Sequence, residues 1–442
     1  MTATQLGISD LDRAHALRLR GEFDDALRLA ASVATASPEN LGAVALVARL
    51  LLDRDRDALV ADVATRLVDA WIRRGDLPAA WLAAQLLLEA GGSRQDALKG
   101  IAQAFGKGSP RVSAVNPKPP ALPASQGVAP HFAKLDGDAL LDAAEKCAAR
   151  FLKTPDAVAA NAPVPELPLF GALEPAALLK LLGRLELREL AAGQYLLRQG
   201  EEGREAFVLA RGVVNVVRED AAGGPPVLLA ALGPGALFGE MALVSGAPRA
   251  ASAVAVEPIQ VLSIGRAALE PLAREDAAIG RELGAFCYGR MIANLIRHSS
   301  ILSAIEPGQR QDLMARFRTQ SFAAGDVLVR QGEEPNSLYL IASGGVKVCS
   351  ADPDGDAVLI AELGPGDVVG EISLVLRRPA NADVVAAHAT VALALTREQF
   401  HEAIRAYPGL LQQLYDLAIQ RDDQTRSVLG QKAVDVTDVV LV

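Results

Sequence analysis

Apolar positions fall into three regimes along this 442-residue chain. From about residue 9 to 106 they recur at helical spacing. Leu11, Ala14, Leu17 and Leu19 open one stripe, and Gly21, Phe23 and Ala26 lead into a second that ends at Pro38. Spacings of three and four place such residues on one helix face, while glycine and proline mark the stops. Gly75, Leu77 and Ala80 repeat the turn signal more weakly, 54 residues on. The pattern predicts a module of helical hairpins over 1–106.

The periodicity then breaks. Pro110, Pro117, Pro119, Pro120, Pro123 and Pro130, with Gly, Ser and Lys between, predict a stiff connection over about 107–132. Leu140, Leu141, Ala144 and Cys147 predict one helix over 136–152, and a further proline-containing stretch runs to about 168. Residues 107–167 thus read as a Pro-rich linker with one helix.

Beyond 168 the period shortens to that of strands. Tyr195-Leu-Leu, Ala206-Phe-Val-Leu, Val213-Val-Asn-Val-Val and Val227-Leu-Leu-Ala are separated by glycine turns. Short strands at regular intervals predict a β-sandwich or roll. The pattern also occurs twice. Arg198-Gln-Gly-Glu-Glu202 returns as Arg330-Gln-Gly-Glu-Glu334, a shift of 132 residues. Leu232-Gly-Pro-Gly235 returns as Leu363-Gly-Pro-Gly366, and Gly239-Glu240 as Gly370-Glu371, both shifted by 131. So long a period means two duplicated domains and not a solenoid. We place them at 168–298 and 299–420, with helices over about 266–300 and 397–429, and a C-terminal tail at 421–442.

Composition narrows the function classes. The net charge is −9 and no basic stripe is visible, which argues against nucleic-acid binding. Aromatic residues make up only 4% and alanine dominates the apolar half, a bias that points to a GC-rich bacterial genome. Cys147, Cys287 and Cys349 are scattered, which fits a reducing, cytoplasmic compartment. The five histidines form no zinc pattern. No signal peptide, membrane span, nucleotide-triphosphate loop, kinase signature or Gly-x-Ser-x-Gly elbow is found, so neither secretion nor an enzyme is expected.

The stretch that carries chemistry is Phe238-Gly-Glu-Met-Ala-Leu-Val-Ser-Gly-Ala-Pro-Arg-Ala-Ala-Ser252. It resembles the phosphate-binding cassette of cyclic-nucleotide-binding domains, the family of the catabolite activator protein and the regulatory subunits of cAMP-dependent protein kinase. The resemblance spans roughly 168–420. It implies a ligand site at Phe238, Gly239, Glu240, Met241, Ala242, Pro248, Arg249, Ala250 and Ala251. A guanidinium forks onto two phosphate oxygens, which suits Arg249. A carboxylate accepts the ribose 2′-hydroxyl proton, which suits Glu240. Gly239 permits a tight turn, and small Ala242 and Ala250 let backbone amides approach. Ala250 lacks the hydroxyl found there in many cGMP-selective members, so cAMP is the expected ligand and cGMP the second candidate. No metal is implied.

The second copy departs from this cassette. It reads Val369-Gly-Glu-Ile-Ser-Leu-Val-Leu-Arg-Arg-Pro-Ala-Asn-Ala-Asp383. Gly370, Glu371, Ile372 and Ser373 keep their places, but Ala380 replaces the arginine and Asn381 follows it. A missing charged hydrogen bond is worth about 1.5–3 kcal/mol, so a degenerate, weak or empty site is expected. Arg377 and Arg378 are read as solvated loop charges. Gln199-Gly-Glu201 is read as a turn.

The fold class is therefore multidomain α+β: a helical module, then two tandem β-rolls (double-stranded β-helix or jelly roll) with flanking helices. Gly21, Phe23, Ala26 and Pro38 resemble the second half of a tetratricopeptide repeat, which implies a protein-docking surface; a plain helical domain is the other reading. Relatives of the activator type carry a helix-turn-helix after the roll. Only about two dozen residues follow Ala418 here, so direct DNA binding is not expected. The resulting expectation is a cytoplasmic cyclic-nucleotide sensor or adaptor, with a protein partner on the helical module and room for a homodimer. The alternative is a ligand-independent scaffold in which both rolls are structural.

Overall fold

The computed structural model describes residues 9–113, 127–159, 162–165, 167–219, 224–351 and 357–439. Pro117, Pro119, Pro120 and Pro123 of the expected linker lie outside them. Backbone contacts gather the chain into two units: residues 1–199, 205–239 and 251–283, and residues 200–204, 240–250 and 284–442.

The first unit opens with α1 (Asp10–Leu19), α2 (Phe23–Ala36), α3 (Leu41–Leu52), α4 (Val60–Arg74), α5 (Leu77–Glu89) and α6 (Arg94–Phe105). Their starts are written locally. Ser9 caps α1 in a reciprocal box with Asp12, and Asn40, Asp76 and Ser93 accept the amide three residues on. Gly75 ends α4 at φ +75°, and a Cβ there would stand 2.4 Å from Pro165. Successive helices pack together. Leu27, Leu46, Leu50, Leu67, Leu77 and Trp81 are at most 2% exposed, each burial contributing about 1.5–3 kcal/mol before entropy is counted.

The segment read as a linker is partly absorbed into this module. β1 (Val112–Ser113) pairs in parallel with β2 (Val164–Pro165). Between them α7 (Gly137–Lys153) packs on α2, α3 and α4. Leu140, Ala144 and Phe151 are buried, while Arg56 reaches Asp138, Asp142 and Glu145. An amphipathic helix buries its apolar stripe on the nearest helices, so 137–153 is a seventh helix of the module and not a spacer.

After α8 (Pro175–Leu182) come the strands of the first roll. They are β3 (Glu186–Leu190), β4 (Tyr195–Leu197), β5 (Glu205–Arg211), β6 (Val214–Arg218), β7 (Val227–Leu232) and β8 (Leu237–Phe238). A short helix, α9 (Glu240–Ser245), intervenes before β9 (Ser252–Ala255) and β10 (Ile259–Gly265). The strands form two antiparallel sheets, ordered β3-β10-β5-β8 and β4-β9-β6-β7. Phe207, Leu209, Phe238, Ile259 and Val261 build their core. The helical module is fastened to this roll. The Trp81 indole N–H donates to the Leu182 carbonyl at 2.9 Å. Arg18 forks onto Glu189, with its shortest contact 2.6 Å, and Arg211 pairs with Asp12. Burial, then Arg211 and Arg18, hold the intervening His15 well below its usual pKa.

Two helices follow, α10 (Arg266–Glu275) and α11 (Ala277–His298). The second unit continues through α12 (Ser300–Ser303) and α13 (Arg310–Met314) into the second roll. Its strands are β11 (Arg318–Phe322), β12 (Val327–Val329), β13 (Ser337–Ser343), β14 (Val346–Ala351), β15 (Ala357–Leu363) and β16 (Val368–Val369), then, after α14 (Glu371–Leu376), β17 (Asp383–Ala386) and β18 (Thr390–Thr396). Sheet orders β11-β18-β13-β16 and β12-β17-β14-β15 repeat those of the first roll position for position.

Two helices close the described chain, α15 (Arg397–Ala406) and α16 (Pro408–Val439). The helix passes through the boundary at 420 where a tail was expected. Apolar periodicity fades after Ala418 because the inward positions there, Arg421, Asp422 and Thr425, are polar and find partners.

Candidate functional site

The first cassette is shaped by backbone before any side chain acts. Gly239 sits at φ +78°, a left-handed conformation that favours glycine, and α9 begins at the next residue. Gly370 does the same at φ +85°, where a Cβ would meet the Ser337 carbonyl oxygen at 2.7 Å. The arginine position is clamped as well. The Arg249 N–H donates to the Glu201 carbonyl at 2.8 Å, and its own carbonyl accepts from Gly200 at 2.9 Å. Ala380 is held identically, by Glu333 at 2.9 Å and Gly332 at 2.8 Å. The repeated Gln-Gly-Glu turn is therefore a backbone clamp in both copies. What differs is the side chain it presents.

Glu240 and Arg249 are 2% and 8% exposed, unusual values for charged residues. Burial pushes the Glu240 carboxyl up; Arg290, the residue's own backbone amide and Arg249 work against that rise. Arg290 lies on α11, its Nε 3.1 Å from Glu240 Oε1. One turn earlier on the same helix, the Cys287 thiol approaches the Glu240 carbonyl oxygen at 3.9 Å. Burial and the nearby Glu240 push that thiol up to about 12.

The other expected residues divide. Phe238 is spent on the core of the first roll, its ring 5.6 Å from that of Phe207. Met241 packs against the core of the second unit. The Phe238 side chain is thus buried and that of Met241 partly buried, each against an apolar core. Pro248 and Ala251 are half-buried and Ala250 is exposed. Ala242 lies in α9, its side chain outside the described set.

In the second copy Glu371 is again 2% exposed, and Ser373 3%. Ile372 is half-buried. Arg421 on α16 donates from Nη1 to Glu371 Oε1 at 3.0 Å and to the Val368 carbonyl at 2.5 Å. Burial raises Glu371, with Arg421 opposing. Ala380 is in the roll's core beside Leu328, Val329 and Val384. The Asn381 amide donates to Asp422 at 3.0 Å. Arg378, read from sequence as a solvated loop charge, instead pairs with Asp422 at 2.5 Å, because α16 brings a carboxylate over it. Burial works to raise Asp422, but Arg378, Arg426 and Asn381 hold it below its usual value. A cavity of about 80 Å³ remains, lined among others by Val329, Ile360, Glu371, Asn381 and Arg421.

Sequence reasoning missed Arg290 and Arg421. The signal was present, since they are 131 residues apart, in register with the cassette glutamates. Among the described residues no group of three His, Cys, Asp or Glu is placed to hold a metal ion. Nor is any helix among them long and apolar enough to cross a membrane.

Comparison with known proteins bears on this geometry. The profile of the cyclic nucleotide-binding domain matches residues 187–276 and again 319–407. The chain is 28% identical over 249 residues to a cAMP-dependent protein kinase regulatory subunit of Dictyostelium discoideum, spanning 55% of this chain and 73% of that protein. It is 27% identical over 243 residues to cGMP-dependent protein kinase 2 of Homo sapiens, spanning 54% of this chain but 30% of the kinase. Among solved structures, the regulatory domain of Toxoplasma gondii PKA with cAMP matches at 24% identity and a TM-score of 0.27, covering 57% of this chain and 92% of that one. The Thermus thermophilus catabolite activator protein matches at 29% and 0.28, covering 30% and 63%.

Proposed function

We propose, for a chain that carries two cyclic nucleotide-binding domains in tandem, that the first cassette binds cAMP and the chain acts as a non-enzymatic regulatory protein. Arg249 meets the cyclic phosphate and Glu240 accepts the 2′-hydroxyl. The single observation behind this reading is the burial of both charged groups, 8% and 2% exposed, within one short cassette. Burying a charge is costly, and two of opposite sign within one cassette support a site for a charged, hydroxyl-bearing ligand. The second roll serves as a packing and transmitting domain, its acid engaged by Arg421 and alanine standing in the arginine position of its cassette. The helical module offers the surface for a protein partner in the cytoplasm.

Calorimetric titration with cAMP, cGMP and a cyclic dinucleotide, on the natural chain and on Arg249→Ala, tests the reading. Saturable cAMP binding is expected, weakened roughly tenfold to more than a hundredfold in the variant. Absence of heat and of thermal shift with every nucleotide overturns it in favour of a scaffold with two structural rolls.

A further inference from the structure

Where the helical module meets the first roll, a cavity of about 480 Å³ opens between α3, α5, the start of α6 and β3. Small-molecule sites run from about 300 to 1,000 Å³. The cavity shares no lining residue with the cassette. Five charged side chains line it, and three of them are already matched. Arg49 pairs with Glu89 and, at 2.9 Å, with Asp53. Glu89 also accepts from the Gln85 amide at 3.1 Å. Glu189 is held by Arg18 and, at 2.8 Å, by the Gln260 amide.

The other two, Arg94 and Glu186, have no partner of opposite charge among the described residues, and they do not pair with each other. The Arg94 guanidinium stands over the Trp81 ring, Cζ 4.6 Å from its centroid. Its Nε and Nη2 are shielded from water and meet no acceptor, a costly state for donors that carry charge. Burial also holds Arg94 below the ordinary arginine pKa. Trp81 is a fixed platform, 1% exposed with its N–H on the Leu182 carbonyl. Glu186 begins β3 and is exposed. A cation on the module and an anion on the roll, both unmatched, thus border one cavity. We propose that this cavity binds an α-amino acid, its carboxylate taken by Arg94, turning on the Trp81 face, and its ammonium by Glu186. A guanidinium forks onto a carboxylate. Three lining carboxylates disfavour a dianion such as phosphate, and two guanidiniums disfavour a plain cation. Leu185, 5% exposed, and half-buried Leu187 give the ligand an apolar edge. A ligand that touches both α6 and β3 fastens the module to the roll, whatever the cassette binds.

The test adds each proteinogenic α-amino acid singly to the full chain at about 10 mM, where even a site with a Kd of about 1 mM is mostly filled. At least one should raise the melting temperature. That one should also change the Trp81 emission in a Trp71→Phe background, since the cation over the ring moves. Calorimetry then compares it with its amide, which lacks the carboxylate, and with its N-acetyl form, which lacks the ammonium. Each should bind roughly tenfold or more weakly, the worth of one charged hydrogen bond. Arg94→Gln should compress the preference over the amide to within about threefold and keep that over the N-acetyl form; Glu186→Gln should do the reverse. Circular dichroism establishes folding, and should Arg94→Gln be misfolded, the exposed Glu186 decides the matter. No response to any amino acid, or both preferences unchanged in the folded variants, overturns the inference. So does amino-acid binding that vanishes in Arg249→Ala, which would place the ligand in the cassette. None of these results touches the cAMP reading, which stands or falls on its own titration.

Discussion

Replacing Arg421 by methionine tests the clasp between Arg421 and Glu371, the ion pair that ties α16 to α14. The substitution leaves Glu371, 2% exposed, without the cation that opposes its burial, and removes a donor from the Val368 carbonyl. Breaking a buried ion pair from one side costs about 3–5 kcal/mol. Arg421 keeps 17% of its side-chain surface in water, which favours the lower end, about 3 kcal/mol. Every 1.4 kcal/mol is tenfold, so the opening equilibrium of α16 should rise roughly a hundredfold. Tryptophan fluorescence cannot follow this, since Trp71 and Trp81 both lie in the helical module. Hydrogen exchange of the α16 amides between Leu414 and Thr425 does so locally. Glu371→Gln combined with Arg421→Met removes the stranded charge and should recover most of the lost protection. Exchange changed less than about threefold in Arg421→Met would refute the clasp. So would equal losses in the single and double variants.

Three further outcomes follow from other features. The Asp76 carboxyl is pushed up to about 6 by burial, with the Ala79 amide opposing. Its folded pKa exceeds its unfolded one, so this group's contribution to stability is full below about pH 4, falls as pH rises to about 6, and is flat above. Asp76→Asn keeps the cap and, because Asp76 retains some solvent access, should raise stability at pH 7 by about 1–2 kcal/mol and flatten that slope in thermal melts. Cys287, its thiol pushed up to about 12, should be the slowest of the three cysteines to alkylate at pH 8, as peptide mass spectrometry will read; fast labelling would contradict its burial on the inner face of α11. Ala380→Arg should fail to create a second cAMP site and should lower the melting temperature, since Ala380 is 8% exposed in an apolar core; a second binding event in calorimetry would show the pocket to be open.

The legible parts of this chain were those written in local chemistry or in repetition. Gly21 and Gly75 placed helix ends because each takes the left-handed backbone. The duplicated Gln-Gly-Glu and Gly-Glu blocks announced two rolls, and the sheets repeat in the same strand order. The losses came where a side chain's partner lies far off in sequence. Arg290 and Arg421 look like surface charges on amphipathic helices until the cassette carboxylates are placed beside them. Phe238 and Met241 lie inside a binding motif, yet packing claims both. The helix over about 397–429 was legible, but a domain boundary was drawn inside it at 420, because the inward face of α16 turns polar there and hydrophobic periodicity does not register a helix held by ion pairs. Spacing of 137–153 revealed a helix but not its docking, since any amphipathic stripe is silent about what covers it.

The two cassettes differ by a set of substitutions that make sense only together. At matching positions the first copy has Ala247, Arg249, Ala250 and Met291, and the second has Arg378, Ala380, Asn381 and Asp422. In the second copy the arginine stands two residues earlier and points to α16, where Asp422 receives it at 2.5 Å. Asn381 binds the same carboxylate at 3.0 Å. None of the three polar residues would be stable alone at a half-buried helix contact, because each would leave donors or charge unmet. As a trio they satisfy one another where α16 meets the cassette. In the second copy Asp422 is the internal acid on which Arg378 and Asn381 converge. In the second roll α16 thus binds the cassette through Asp422, whereas the first copy has Met291 at that position.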